Sequence, residues 1–337
     1  MNSRFPSTVG VVGLAALTAT LWVASVTVAA AGQSTPSNAS KASTTASKTS
    51  ASRTPWGDPD IQGMWTSNNM TGVPLERSKE FGERETLTDA EYVKRQQSAE
   101  QLRVFERMAG GTGSGPGDWY EWWGRESRRT SQVVEPKNGI IPWKSDEVRR
   151  AQRRPSPAAS WLDLHTWDRC IVRGLPNVMT PTAYNNGYEI LQAPGYVVIH
   201  YEMVHDVRVI PLDGRPHLDG SIRQWMGDSR GHWEGNTLVV DVTNFSNKTD
   251  GTLPTEGGSY AGGGEAMHLV ERFTRNDAGT LTYTATVEDP TKFTSPWTLS
   301  IPLKKDDAYR IYEYACHEGN YAIKNILSGA RAAEQAK

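Results

Sequence analysis

Missing from this sequence, first of all, is any basic stripe. Lys and Arg number 36 against 38 Asp and Glu, a net charge of −2, and the two signs are mixed along the chain. Nothing here would neutralise a run of phosphates, which argues against nucleic acid as a partner. The glycine patterns of dinucleotide and phosphate-binding loops are also lacking, and nucleotide cofactors are not expected. No H-x-H, H-E-x-x-H or C-x-x-C spacing occurs, so the sequence gives no spacing support for a metal centre. Ser229, in Gly227-Asp-Ser-Arg-Gly231, lacks the G-x-S-x-G frame of an activated serine and reads as a tight turn. Cysteine is scarce, with Cys170 and Cys316 alone. No fixed-period repeat points to a propeller or solenoid.

One long apolar run is present, from about Val9 to Ala31. It follows a single positive charge, Arg4, and ends in Ala29-Ala30-Ala31. Charge, apolar stretch and small residues are the parts of a secretory signal, so residues 1–31 are expected to be cleaved and the protein to work in the periplasm or outside the cell. An uncleaved anchor is the alternative, because the run is long enough to span a bilayer. No other run has that length, so no stable membrane span is expected after cleavage. Residues 32–54 are rich in Ser, Thr and Ala with no aromatic residue, a composition that cannot offset the entropy of ordering and reads as a tether. In an oxidising compartment the two cysteines are expected to pair as Cys170–Cys316.

The remaining residues, 55–337, suffice for one large domain. Thr88-Asp-Ala-Glu91 is a capping box that predicts a helix to about Met108. A second short helix is expected over Ser145 to Arg153. Between them lie the Gly110–Gly117 loop and the cluster Asp118-Trp-Tyr-Glu-Trp-Trp123, a lid over a pocket or a plug against the body. From about Tyr188 the apolar period becomes two. Strands are predicted over Tyr196–Ile210, Thr237–Asn244, His268–Arg275, Thr280–Glu288, Trp297–Leu303 and Tyr309–Cys316, with a final helix from Tyr321 to Arg331. Short turns between strands imply antiparallel pairing. The expected fold is mainly β: an up-and-down meander closing into a lipocalin-like (calycin) barrel, with a helical and loop cap around 85–160.

The segments TPWGDPDIQGMW, YNNGYEILQAPGYVVIHYEMVHDVRVIPLDGRPH, QWMGDSRGHWEGNTLVVDVTNF and YEYACHEGNYA resemble a family of exported, functionally uncharacterised bacterial proteins. The resemblance implies a fold and transfers no activity. Gly63-Met64-Trp65 is similar to the G-x-W that opens a lipocalin barrel.

Candidate chemistry centres on Glu202-Met-Val-His205-Asp206-Val-Arg208. In one regular strand, His205 shares a face with Tyr201 and Met203, while Glu202, Asp206 and Arg208 point the other way. Ionisable groups on both faces suggest a polar pocket, a bulge near Asp206, or an internal ion pair of Arg208 with Glu202 or Asp206. An imidazole with a carboxylate and a tyrosine can perform acid–base chemistry without a cofactor. His205 and His317 are the candidate acid and base, with Glu202 or Asp206 as orienter. Tyr201, Arg208, Asn185, His268 and Trp123 are candidate substrate contacts, although Asn185 also suits an Asx-turn. The expected function is an exported, cofactor-independent lyase, isomerase or cyclase acting on a small organic or sugar-derived molecule in a barrel cavity. A non-catalytic carrier of such a molecule is the alternative, and a divalent metal held by His residues is a minor one.

Overall fold

The computed structural model describes residues 52–108, 126–151, 157–182, 184–248, 253–255, 258–260 and 264–335. The expected leader, the tether up to residue 51, the Gly110–Gly117 loop and Trp123 lie outside the described residues. Twelve strands are described: β1 (Gly63–Thr66), β2 (Val133–Glu135), β3 (Gly187–Ala193), β4 (Tyr196–Tyr201), β5 (Asp206–Pro211), β6 (Asp228–Glu234), β7 (Thr237–Thr243), β8 (Leu253–Thr255), β9 (Gly258–Tyr260), β10 (His268–Arg275), β11 (Thr280–Glu288) and β12 (Trp297–Lys305). Helices are few: α1 (Asp89–Met108), α2 (Asp146–Ala151) and α3 (Ala322–Gln335). The capping box at α1 forms as expected, the backbone of Thr88 donating to Glu91 Oε2 at 2.8 Å.

The fold is mainly β, an antiparallel meander rolled into a nearly closed barrel. Hydrogen-bonded neighbours follow the order β5-β4-β3-β1-β12-β11-β10-β7-β6, and β2 pairs β12 off that path. Alternation drives the roll. Leu281, Tyr283, Ala285 and Val287 of β11 and Trp297, Leu299, Ile301 and Leu303 of β12 are all buried, with the residues between them turned out. Their side chains join Trp65, Tyr188, Tyr201 and Phe273 in one core.

An odd strand number leaves a seam. Nine strands that alternate in direction leave the end strands, β5 and β6, running the same way, so no antiparallel ladder can join them. Residues 212–227 therefore carry the chain back along the outside of the barrel, against β6 and β7. Side chains close this gap. Arg208 Nε on β5 donates to Ser229 Oγ on β6 at 2.9 Å, and its Nη2 pairs with Glu271 Oε2 on β10 at 2.5 Å. Tyr283 Oη donates to the other Glu271 oxygen at 2.9 Å, and Arg208 Nη1 reaches Tyr201 Oη at 3.4 Å. Gly231 completes the contact, because a Cβ there would lie 2.8 Å from Ile210 and 2.6 Å from Leu212.

Several sequence expectations are corrected. Tyr196–Ile210 is not one strand but the hairpin of β4 and β5, with Tyr201 opposite Asp206. Reversal at Met203–His205 resets the parity, so Tyr201 and Arg208 both face inward while Val207 and Val209 face out. The internal ion pair of Arg208 is made with Glu271, not with Glu202 or Asp206. Asp228-Ser229 does not form a tight turn but opens β6. Tyr309–Cys316 forms no strand, because the edges of β12 are already occupied by β11 on one side and by β1 and β2 on the other.

Removing one partner of a buried pair leaves the other charge uncompensated. Arg208→Met is therefore expected to lower the unfolding free energy by about 3–5 kcal/mol, read from the urea midpoint. The double change Arg208→Met with Glu271→Leu should recover most of that loss.

Candidate functional site

With both edges of β12 taken, the chain after it leaves the barrel as an irregular arm ending in α3. Covalent and polar ties, more than burial, hold the arm. Cys170 and Cys316 form a disulfide, as the cysteine count suggested. Asn320 Nδ2 donates to the Asp168 carbonyl at 3.3 Å, and Arg331 donates to the carbonyls of Ala159 and Ala158 at 3.0 and 3.2 Å. Within α3 only Ala330 is buried.

Between the arm and residues 167–185 lies a cleft of about 820 Å³. Three rings line it, Trp167, Tyr184 and Tyr314, together with the carboxylates of Asp168, Glu313 and Glu318 and the amides of Asn185 and Asn320. Trp167 Nε1 donates to Tyr314 Oη at 3.4 Å, and the Trp167 and Tyr184 rings lie 6.4 Å apart. None of the described lining residues is Lys, Arg or His. One cation stands behind the wall. Arg173, 3% exposed, lies 5.4 Å from the Trp167 ring centre, and burial brings its pKa down to about 10. Asn185 adopts a left-handed φ of 55°, a conformation Asn tolerates better than most residues. The size and the mixture of rings with a few polar groups match a small-molecule site.

A second polar constellation covers the outer wall of β6, β7 and β10. His217 Nδ1 lies 2.8 Å from Asp228 Oδ2, and its Nε2 lies 2.7 Å from Asp241 Oδ1. His268 Nε2 meets the other Asp241 oxygen at 2.8 Å, and Glu288 stands 3.6 Å from its Nδ1. Arg230 pairs with Asp228 at 3.2 Å. Partial burial opposes ionisation of Asp241, but the bonds from His268 and His217 outweigh it and hold the carboxyl below its ordinary range. His217 thereby clips the 212–227 crossover to the barrel.

The predicted site residues are divided among separate places. Asn185 lines the cleft, and His317 is exposed between two lining residues, Cys316 and Glu318. Tyr201 and Arg208 belong to the buried seam network, and His268 to the outer wall. Glu202, 2% exposed, accepts the Gly187 N–H at 3.0 Å and the Tyr309 hydroxyl. The fit is close, since a Cβ at Gly187 would lie 2.8 Å from the Glu202 carboxylate. Asp206 Oδ1 accepts the Val207 N–H at 2.9 Å, and burial raises the Asp206 pKa. His205, exposed in the β4–β5 turn, meets His200 and not His317. His217, Asp228 and Asp241 were not singled out beforehand. Asp241 had a signal, a carboxylate among the valines of Leu238-Val-Val-Asp-Val242. Among the described residues no group of three or more His, Cys, Asp or Glu is placed to hold a metal ion. No protein-family profile matches the chain, and no curated protein is significantly similar to it.

Two outcomes are expected. The disulfide closes a 146-residue separation, worth about 5 kcal/mol in the chain-entropy model. Because the arm has little else, reduction should strip hydrogen-exchange protection from α3 while β10–β12 stay protected. A carboxyl whose folded pKa is lowered stabilises the fold above its unfolded pKa, and that contribution is lost as pH falls through the folded value. Asp241→Asn should therefore be less stable than the parent at pH 6, and the gap should shrink as the pH falls below the ordinary aspartate range, as followed by urea unfolding.

Proposed function

We propose that the chain is a cofactor-independent acid–base enzyme of the lyase or isomerase type, acting outside the cytoplasm on a small ring-bearing or sugar-derived molecule. The leader and the disulfide support the location. The observation that carries the reading is the lining of the cleft, three rings beside three carboxylates with no Lys or Arg among the described lining residues. Rings offer flat apolar contact to a cyclic substrate. Carboxylates and amides orient its hydroxyls, and a carboxylate in a partly enclosed cleft can take or return a proton. His317, between Cys316 and Glu318, supplies an imidazole at the cleft margin. The lumen is the weaker place for a ligand, since Arg208 and Glu271 cross it with their charges and hydrogen bonds satisfied by each other, Ser229 and Tyr283.

The same lining supports a second reading, a carrier that binds without turnover. Incubation of the purified protein with pooled metabolites, followed by mass spectrometry, separates the two. Acid–base catalysis predicts consumption of a metabolite, falling about 100-fold or more in Asp168→Asn or His317→Ala, with ligand still bound in at least one variant. A retained ligand that the parent never converts would establish the carrier. Turnover indifferent to both substitutions and to Asn185→Ala would remove the cleft from consideration.

A further inference from the structure

We infer that the tip of the β4–β5 hairpin is a two-histidine site for a divalent transition-metal ion of the Cu²⁺, Ni²⁺ or Zn²⁺ class. His200 and His205 bring Nε2 and Nδ1 to 3.3 Å, with the rings edge to face at 87° and 4.5 Å between centres. The separation of the two nitrogens is long beside the usual distance of about 2.9–3.0 Å in an N–H···O bond, though an N–H···N bond can still span it. Two Zn–N bonds of about 2.0–2.1 Å at a tetrahedral angle instead place their nitrogens about 3.3–3.4 Å apart. The spacing fits a chelate.

The surroundings fix this spacing. His200 is held on β4, paired across the ladder with Glu189, whose carboxylate lies 3.6 Å from the remaining ring nitrogen, Nδ1. At that distance the carboxylate is a charge neighbour and not a hydrogen-bond partner, on the side where a metal-binding imidazole usually meets its orienting group. His205 is held by an unusual turn. Val204 and His205 both adopt left-handed φ values, 65° and 57°, with no glycine to relieve them. A β-branched residue in that region is a backbone outlier, and such outliers persist only where the surroundings enforce them. Here the buried Glu202 pins the start of the turn through Gly187 and Tyr309. The strained turn aims an exposed imidazole at a half-buried one.

Two protein nitrogens leave the other positions of the ion to water. Such a site is exchangeable and should follow the general order of affinities, with Cu²⁺ bound more tightly than Ni²⁺ or Zn²⁺. It owes nothing to the cleft and stands whichever reading of the cleft holds.

Calorimetric titration of the full chain with CuCl₂ and with ZnCl₂, in a non-coordinating buffer, tests the assignment. His205→Asn is the informative change, because Asn accepts a left-handed φ while removing the imidazole. The parent should bind one more equivalent of Cu²⁺ than His205→Asn or His200→Gln, or bind that equivalent at least tenfold more tightly. Glu189→Gln should weaken it severalfold, and His232→Ala should leave it unchanged. Circular dichroism should show all four variants folded. Identical titrations for the parent and His205→Asn would overturn the site, as would loss of the equivalent in His232→Ala alone.

Discussion

The barrel depends on the ion pair between Arg208 and Glu271. No backbone ladder joins β5 to β6, so closure falls to side chains, and one guanidinium spans the gap from β5 past β6 to β10. Burial opposes the charge on Arg208, yet Glu271 outweighs it and holds the guanidinium protonated. Tyr201 and Tyr283 are kept neutral chiefly by burial and serve as hydrogen-bonding walls. A pair this deep is weak evidence for net stability, since apolar residues could fill the space as well. Its value lies in specifying which strand faces which, where no ladder does so.

The outer surface shows the complementary arrangement. Loops and turns that no ladder controls are fixed by local polar contacts: His217 on the crossover, Glu202 beneath the hairpin turn, the disulfide on the C-terminal arm. Each holds irregular backbone against a rigid wall, the setting in which binding and catalytic groups usually occur. The cleft follows from the same cause. An arm excluded from the sheet, yet bound to it covalently, leaves a gap beside its anchor.

Much of this was legible where one periodicity ran uninterrupted. The bounds of β10 and β11 match the alternating segments His268–Arg275 and Thr280–Glu288 residue for residue. Legibility failed where local chemistry contradicted local structure. The β4–β5 turn holds no Gly, Pro or Asn, so Val204 and His205 read as strand and the parity of Arg208 was misassigned. In β6 the outward residues Asp228, Arg230, His232 and Glu234 and the seam residue Gly231 hid a strand behind turn-like composition. Tyr309–Cys316 alternates as a strand should, but pairing needs a vacant edge, which depends on the rest of the chain. Of the site, the cysteine pairing and Asn185 could be read directly. The grouping of His217 with Asp228 and Asp241 could not, because it joins a turn-like segment to two strands whose faces had first to be known.

One feature of the topology reaches into how the chain assembles. Strands β3–β4–β5 form one run of hairpins, and β6–β7–β10–β11–β12 form another, made of neighbours in sequence except where β8 and β9 intervene between β7 and β10. On one flank the four-residue β1 joins them, pairing Trp65 with Tyr188 of the first run and Lys305 of the second. On the other flank stands the seam. Such local runs close short loops and zip early, whereas contacts between distant residues must await larger loop closures. The barrel is in this sense two small sheets with a keystone, and Gly-Met-Trp-Thr, the shortest of its nine staves, is the piece that makes them one vessel.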